Sequence, residues 1–226
     1  MAFIRPYEPK DAEDCKHICR ATLPPSLLSS PSAIKISPYL WTLQFTFLSP
    51  STCFVLDDGT GKVVGYVIGC PDVFKFAEEY PTYIKEVLQS PEGLRDVPPP
   101  KQLSTLESWT LQETGQVNTE SLSQVAYKVD WLILDGVEGK RELVESYRAM
   151  MHIDLLEPWQ GKGWGRKMIE RFVESVQESK GVDKGKGIQI GVAGENTKVV
   201  KFYEKVGFRI YPGGEKEGNV WMVRDM

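Results

Sequence analysis

The sequence predicts an α/β fold of the mixed, α+β kind, and three observations carry this expectation. The last third of the chain alternates strand, glycine-rich loop, helix, strand, helix and strand. Residues 51–69 hold two apolar runs around Asp58-Gly59-Thr60-Gly61, a hairpin signal. The chain opens on a short alternating segment followed by an amphipathic stretch.

Composition sets the outer limits. Of the 226 residues, 41% are hydrophobic and 26% charged, enough apolar material for a core and too much for general disorder. The formal charge of −4 argues against a nucleic-acid partner, which calls for a basic surplus. No run of about 18 apolar residues exists, so no membrane span is expected. Residues 1–7 lack the basic-then-apolar pattern of a secretory signal, which points to an intracellular protein, cytoplasmic or nuclear. Cys15, Cys19, Cys53 and Cys70 are scattered and read as reduced thiols rather than a disulfide framework. His17 falls between Cys15 and Cys19, but a helix turns it onto another face, so no metal site is expected there.

The elements follow in order. Residues 2–7 read as a strand. A helix then runs from Pro9-Lys10-Asp11 to about Arg20, with Asp11 as N-cap and Ala12, Cys15, Ile18 and Cys19 as its apolar stripe. Residues 24–38, rich in Ser and Pro, are expected to be irregular, and a short helix is expected over 39–48. The hairpin strands are 51–57 and 62–69. A helical piece falls near 74–88, and Pro98-Pro99-Pro100 then begins a polar loop. Residues 129–134 suit helix or strand equally, and 142–149 look helical. A strand over 149–156 leads into the glycine loop. The helix after it covers 166–180, with Met168, Ile169, Phe172, Val173 and Val176 inward. A strand over 187–192 follows, then a helix capped by Asn196 and running to Lys205. Gly207 stops that helix, and a strand begins at Phe208.

Chemistry concentrates in the glycine loop. Gly161, Gly163 and Gly165 sit where a strand passes into a helix. Bare backbone there lets amides approach a ligand, and the helix dipole favours an anion. Lys162, Arg166 and Lys167 add positive charge, so the loop reads as a phosphate site; the plain alternative is a tight turn that packs helix on strand. It is not a dinucleotide fingerprint, because Arg166 stands where the last glycine would be. It also lacks the Gly-Lys-Ser/Thr ending of a nucleoside-triphosphate loop.

Gln160-Gly161-Lys162-Gly163-Trp164-Gly165 resembles the Q/R-x-x-G-x-G/A loop of the GNAT acetyltransferases. Residues 196–208, N-T-K-V-V-K-F-Y-E-K-V-G-F, resemble that superfamily's second signature. Ile4-Arg5-Pro6-Tyr7, Pro9-Lys10-Asp11, Ile18-Cys19-Arg20, Cys53-Phe54-Val55-Leu56 and Gly65-Tyr66 are further similar to the acetyltransferase-like domain of the O-GlcNAcases and its stand-alone microbial homologues. The animal domain lacks the glycine loop that this chain keeps, a difference that favours cofactor binding here.

The resemblance implies a GNAT fold: a twisted, mixed, mostly antiparallel sheet with helices on both faces. Residues 1–226 would form one domain with a long insertion at about 71–145. It implies acetyl-CoA as cofactor, held through its pyrophosphate by the amides of residues 161–165, with Gln160, Lys162, Trp164 and Arg166 in the same loop. Backbone groups of Ile153 and Leu155 would meet the acetyl carbonyl and the pantetheine arm, which would enter a splay between their strand and 188–192. Asn196 would lie near the pantetheine, and Tyr203 would protonate the leaving thiolate. The implied reaction is direct acetyl transfer to a primary amine of a small molecule or peptide. A catalytically silent acetyl-CoA-binding or peptide-binding module is the alternative.

A protonated amine must lose a proton before attack; the resemblance to the O-GlcNAcase-like domains, which carry Asp at this place, implies Asp154 as the general base, with His152 as second candidate. A carboxylate in a buried strand is uncommon without a purpose. Alternation turns His152 and Asp154 away from Ile153 and Leu155, a conflict that a β-bulge would resolve. Trp41, Trp109, Trp131, Trp159 and Trp164 are candidate pocket aromatics.

Overall fold

The computed structural model describes residues 1–216 and 218–226. Seven strands lie in one sheet: β1 (Phe3–Pro6), β2 (Phe54–Asp57), β3 (Val63–Cys70), β4 (Ala149–Leu155), β5 (Gly187–Ala193), β6 (Arg209–Lys216) and β7 (Asn219–Asp225). Their order is β1-β2-β3-β4-β5-β7-β6. Every neighbouring pair is antiparallel except β4 and β5, so the sheet is mixed and mostly antiparallel, as expected. The helices are α1 (Ala12–Ala21), α2 (Pro25–Leu28), α3 (Pro31–Trp41), α4 (Leu43–Leu48), α5 (Val73–Tyr83), α6 (Pro91–Asp96), α7 (Thr119–Tyr127), α8 (Lys140–Ser146), α9 (Trp164–Glu178) and α10 (Val200–Lys205). Among the described residues no helix is long and apolar enough to cross a membrane.

Strand alternation, reset by a register shift where β3 begins its pairing with β2, sorts the sheet into two apolar faces. Val64, Val67, Ala149, Met151, Ile188 and Ile190 pack with Met168, Ile169, Phe172, Val173 and Val176 of α9. The inward face of α9 is the one its 3.6-residue period predicts. On the other side Val63, Tyr66, Ile68 and Cys70 pack with Cys15, Ile18 and Cys19 of α1, Ile36 and Leu40 of α3, and Phe76 and Tyr80 of α5. A side chain at Gly69 would meet the Met150 carbonyl and the Phe172 ring, which shows how closely α9 approaches the strands.

Several local expectations change. Residues 24–38 are helical over most of their length, because Pro25 and Pro31 each occupy a first helical turn, where a missing N–H costs nothing. Ser30 caps α3 by accepting from the Ala33 amide at 3.3 Å. The helix expected over 39–48 is the end of α3 plus α4, broken at Thr42. Residues 50–52 form a 3₁₀ turn, so β2 begins only at Phe54. Asp11 stands at the start of α1 without capping it. Its carboxylate takes the Arg5 guanidinium at 2.7 and 2.9 Å and the Glu8 amide at 2.8 Å. Residues 130–134 form a π-helical turn, and α8 ends at Ser146, before β4. The sequence reading assigns no strand to 219–225, yet β7 lies inside the sheet between β5 and β6. Residues 71–148, between β3 and β4, carry α5 to α8.

Candidate active site

The site begins where β4 leaves β5. The two strands run parallel and are seven residues each, but they pair only at Ala149–Ile188 and Met150–Gln189. Beyond Met150 they part, while β4 stays in register with β3 as far as Leu155. The opening therefore lies between Met151–Leu155 on one side and Ile190–Ala193 on the other.

The glycine loop follows directly. Residues 157–159 make a 3₁₀ turn, and Gly163 stands at the N-cap of α9. Gly161 and Gly163 have φ of +70° and +82°, and a side chain at either would meet nothing within 4 Å. Both are thus required by the backbone and leave open space above it. Gly165 differs: a Cβ there would come within 3.0 Å of the Phe202 ring, so its bareness lets α10 approach α9. The phosphate reading suits the first two glycines and the packing reading suits the third. Gln160 donates its side-chain amide to the Leu155 carbonyl at 2.8 Å, tying the loop to the end of β4. Lys162 lies over Trp159 at 5.7 Å and Lys167 over Trp164 at 4.7 Å, while Arg166 donates to the Lys205 carbonyl at 3.0 Å. The guanidinium is therefore engaged with the end of α10, and the two lysines are the other cations beside the loop.

Asn196 does not cap α10. It lies exposed within the 3₁₀ segment 194–199, with φ −119° and ψ 27°, and Val199 occupies the N-cap position. Of the adjacent aromatics, Phe202 is 38% exposed, whereas Tyr203 is half-buried against Phe208 and the α9 face of the core. Burial, and after it the negative charge of Asp154, raises the Tyr203 phenol well above its ordinary pKa. The two side chains are thus within electrostatic reach of each other, and Tyr203 keeps its proton at neutral pH.

No bulge interrupts the β3–β4 ladder, so alternation holds and His152 and Asp154 face α1 and α3, opposite Ile153 and Leu155. They meet there. His152 Nε2 is 3.0 Å from Asp154 Oδ2, and the Tyr66 hydroxyl donates to the same oxygen at 2.5 Å. Tyr66 is fully buried on β3, directly opposite Asp154, and its hydroxyl lies 3.3 Å from Thr42 Oγ1. Because Tyr66 gives its proton to Asp154, Thr42 is the donor in that second contact. Burial first, and the Asp154 charge next, push the Tyr66 phenol upward. Cys19 joins Thr42, Ser37 and Tyr66, and burial pushes its thiol up to about 12. All four cysteines are buried and free, so none is an available thiolate. Sequence reasoning missed Tyr66 and Thr42. Tyr66 could have been noticed as a lone hydroxyl-bearing residue in an otherwise apolar eight-residue strand.

The same face continues to Gln189, opposite Met150. There Lys140 of α8 donates to Gln189 Oε1 at 2.9 Å and lies 5.6 Å from the Trp221 ring centre. Burial pushes the Lys140 ammonium down to about 8. The candidate tryptophans do not gather into one pocket. Trp159 and Trp164 flank the loop, Trp41 pairs with Trp109 at 6.4 Å, and Trp131 lies under Lys128.

No protein-family model matches the chain. Solved structures do. SsHAT is 26% identical over 99% of this chain and 98% of its own, with a TM-score of 0.76. PH1933 from Pyrococcus horikoshii OT3 matches over 100% of this chain and 99% of its own at 13% identity and a TM-score of 0.55. The PaiA N-acetyltransferase from Thermoplasma acidophilum, solved with coenzyme A, matches over 100% and 99% at 10% identity and 0.53. The last two likenesses concern the fold alone. The chain thus has the fold of the GNAT acetyltransferases with both motifs in place on it, and its likeness to SsHAT supports the O-GlcNAcase-like relation.

Proposed function

We propose that this protein transfers an acetyl group from acetyl-CoA to a primary amine by direct attack in a ternary complex. The observation that carries this reading is the parting of β4 from β5 beside the open turn at Gly161 and Gly163. Donors at the start of a 15-residue helix, with Lys162 and Lys167 close by, suit a pyrophosphate. The gap beyond Met150 suits an extended pantetheine arm, which would meet backbone groups of Ile153 and Leu155 and pass near Asn196. Tyr203, protonated and on the α9 side, is suited to protonate the departing sulfur. Asp154, with His152 against it, forms the proton-accepting end of the site. Residues 71–148 would shape the acceptor pocket as an insertion within one domain.

Calorimetric titration of the purified protein with acetyl-CoA, with desulfo-CoA as control, tests the reading. Saturable binding of both, followed by coenzyme A release in the presence of amines, supports it. Absence of binding removes it.

A further inference from the structure

The proton-accepting end of this site holds two groups, and the geometry points to a division of labour between them. We infer that His152 is the residue that takes the proton from the acceptor amine. Asp154 orients the imidazole, and Tyr66 is a positioning residue that fixes Asp154. The inference rests on the acetyl-transfer reading given above.

Three observations converge on it. First, Asp154 Oδ2 is already occupied: the Tyr66 hydroxyl donates to it at 2.5 Å and His152 Nε2 stands 3.0 Å from it. A substrate proton arriving at that oxygen would compete with the Tyr66 hydrogen bond and crowd the imidazole. Second, His152 Nε2 lies 3.0 Å from Asp154 Oδ2, where a ring lone pair would face the carboxylate and be repelled, so the contact favours the proton on Nε2 and leaves the lone pair of Nδ1 to accept one. Third, the exposures are ordered. Tyr66 is fully buried, the Asp154 side chain is 19% exposed and that of His152 is 35% exposed. The series runs from the core outward and ends at the imidazole, the member an acceptor reaches first. The Tyr66 ring, 5.9 Å from that of His152, supports the imidazole from below. Thr42 in turn donates to Tyr66, so the series is anchored on the break between α3 and α4.

The step balances. His152 Nδ1 takes one proton from the acceptor ammonium, and the imidazolium formed faces the Asp154 carboxylate. The freed amine nitrogen bonds to the thioester carbon. As the C–S bond breaks, the sulfur receives the Tyr203 proton, and Tyr203 recovers a proton from the nitrogen of the collapsing adduct. His152 then releases its proton to water. The net products are amide, coenzyme A thiol and one proton.

The chain has only two histidines, and His17 is exposed on α1, so it serves as an internal reference. Nitrogen-15 spectra of the protein without ligand should show His152 as the Nε2–H tautomer, with a slowly exchanging ring proton that His17 lacks. Asp154→Ala should abolish that signal, and Tyr66→Phe should broaden it. An Nδ1–H tautomer at His152 overturns the inference.

In turnover, His152→Gln should lower kcat about 100-fold, the lower end of what a general base supplies, with acetyl-CoA affinity unchanged. Tyr66→Phe should lower kcat about 10-fold at constant KM, a smaller loss because it acts through Asp154. A His152→Gln enzyme that keeps its kcat while Asp154→Asn loses it returns the base to Asp154. If wild-type protein binds acetyl-CoA and acetylates no amine, the acetyl-transfer reading fails, and the tautomer measurement still decides the geometry.

Discussion

The two faces of β4 are built on opposite terms. On one, Ile153 and Leu155 join an apolar core under α9, and the polar groups beside it are the bare backbone of Gly161 and Gly163. On the other, polar side chains gather: Asp154, Tyr66 and Thr42 form a hydrogen-bonded series with His152 3.0 Å from Asp154, and Lys140 with Gln189 lies beyond it. A backbone site depends on conformation and tolerates little at its glycines. A side-chain site depends on partners, each of which is held by the next. The first should fail abruptly on substitution and the second in steps.

Gly163→Val tests the abrupt side and should have the largest effect. A branched residue at φ +82° is strained, and its Cβ fills the space above the turn. Acetyl-CoA affinity should fall by about 100-fold or more, on the order of 3 kcal/mol, in a protein whose circular dichroism is unchanged. Normal affinity would remove the loop from the cofactor site.

Tyr203→Phe comes next and tests the proton donor proposed on the α9 face. Turnover should fall about 100-fold, within the range of a lost general acid, while calorimetric affinity for acetyl-CoA stays constant. An unaffected rate takes Tyr203 out of the reaction.

The smallest effect concerns stability on the polar face. Burial pushes the Lys140 ammonium down to about 8 in the fold, from its ordinary value near 10.5. Between those pH values the unfolded chain binds more protons than the native one, so stability rises with pH across that window, by about 3 kcal/mol at most. Lys140→Met should flatten the rise and stabilise the protein at pH 7 by about 1–2 kcal/mol, less than the full amount because Gln189 Oε1 loses its donor. Urea unfolding of both proteins at pH 7 and pH 10 measures this, and an unchanged slope would show that another group carries it.

How far these features could be read from the sequence follows the same division. The glycine loop, α9, β4 and β5 are local: period, turn residues and helix start lie within a few residues of one another, and their bounds agree with expectation to within two residues. Asp154 could be singled out as a carboxylate in an apolar strand. Its partners could not, because Tyr66 reaches it only through a ladder between β3 and β4, and residues 71–148 separate those strands. β7 escaped for a related reason. Trp221, Met222 and Val223 are all buried, since the strand is covered on both faces, and a uniform apolar run hides the two-residue period. Residues 24–38 misled in the other direction. Their prolines signal breaks, and the same residues begin α2 and α3. Asn196, read as a helix cap, shows the limit of a motif: the segment is helical, but the cap lies three residues on.

The two-rung seam between β4 and β5 has a further consequence. It has the fewest paired residues of any seam between neighbouring strands, and along it the amides beyond Met150 that face the opening have no strand partner among the described residues. A ligand that lies along the seam supplies the missing rungs, so it acts as a structural splint as well as a reactant. Mass action then ties the melting temperature of the whole sheet to the free concentration of that ligand. Hydrogen exchange should register occupancy first at residues 151–155 and 190–193, the lips of the seam, before any chemistry has taken place.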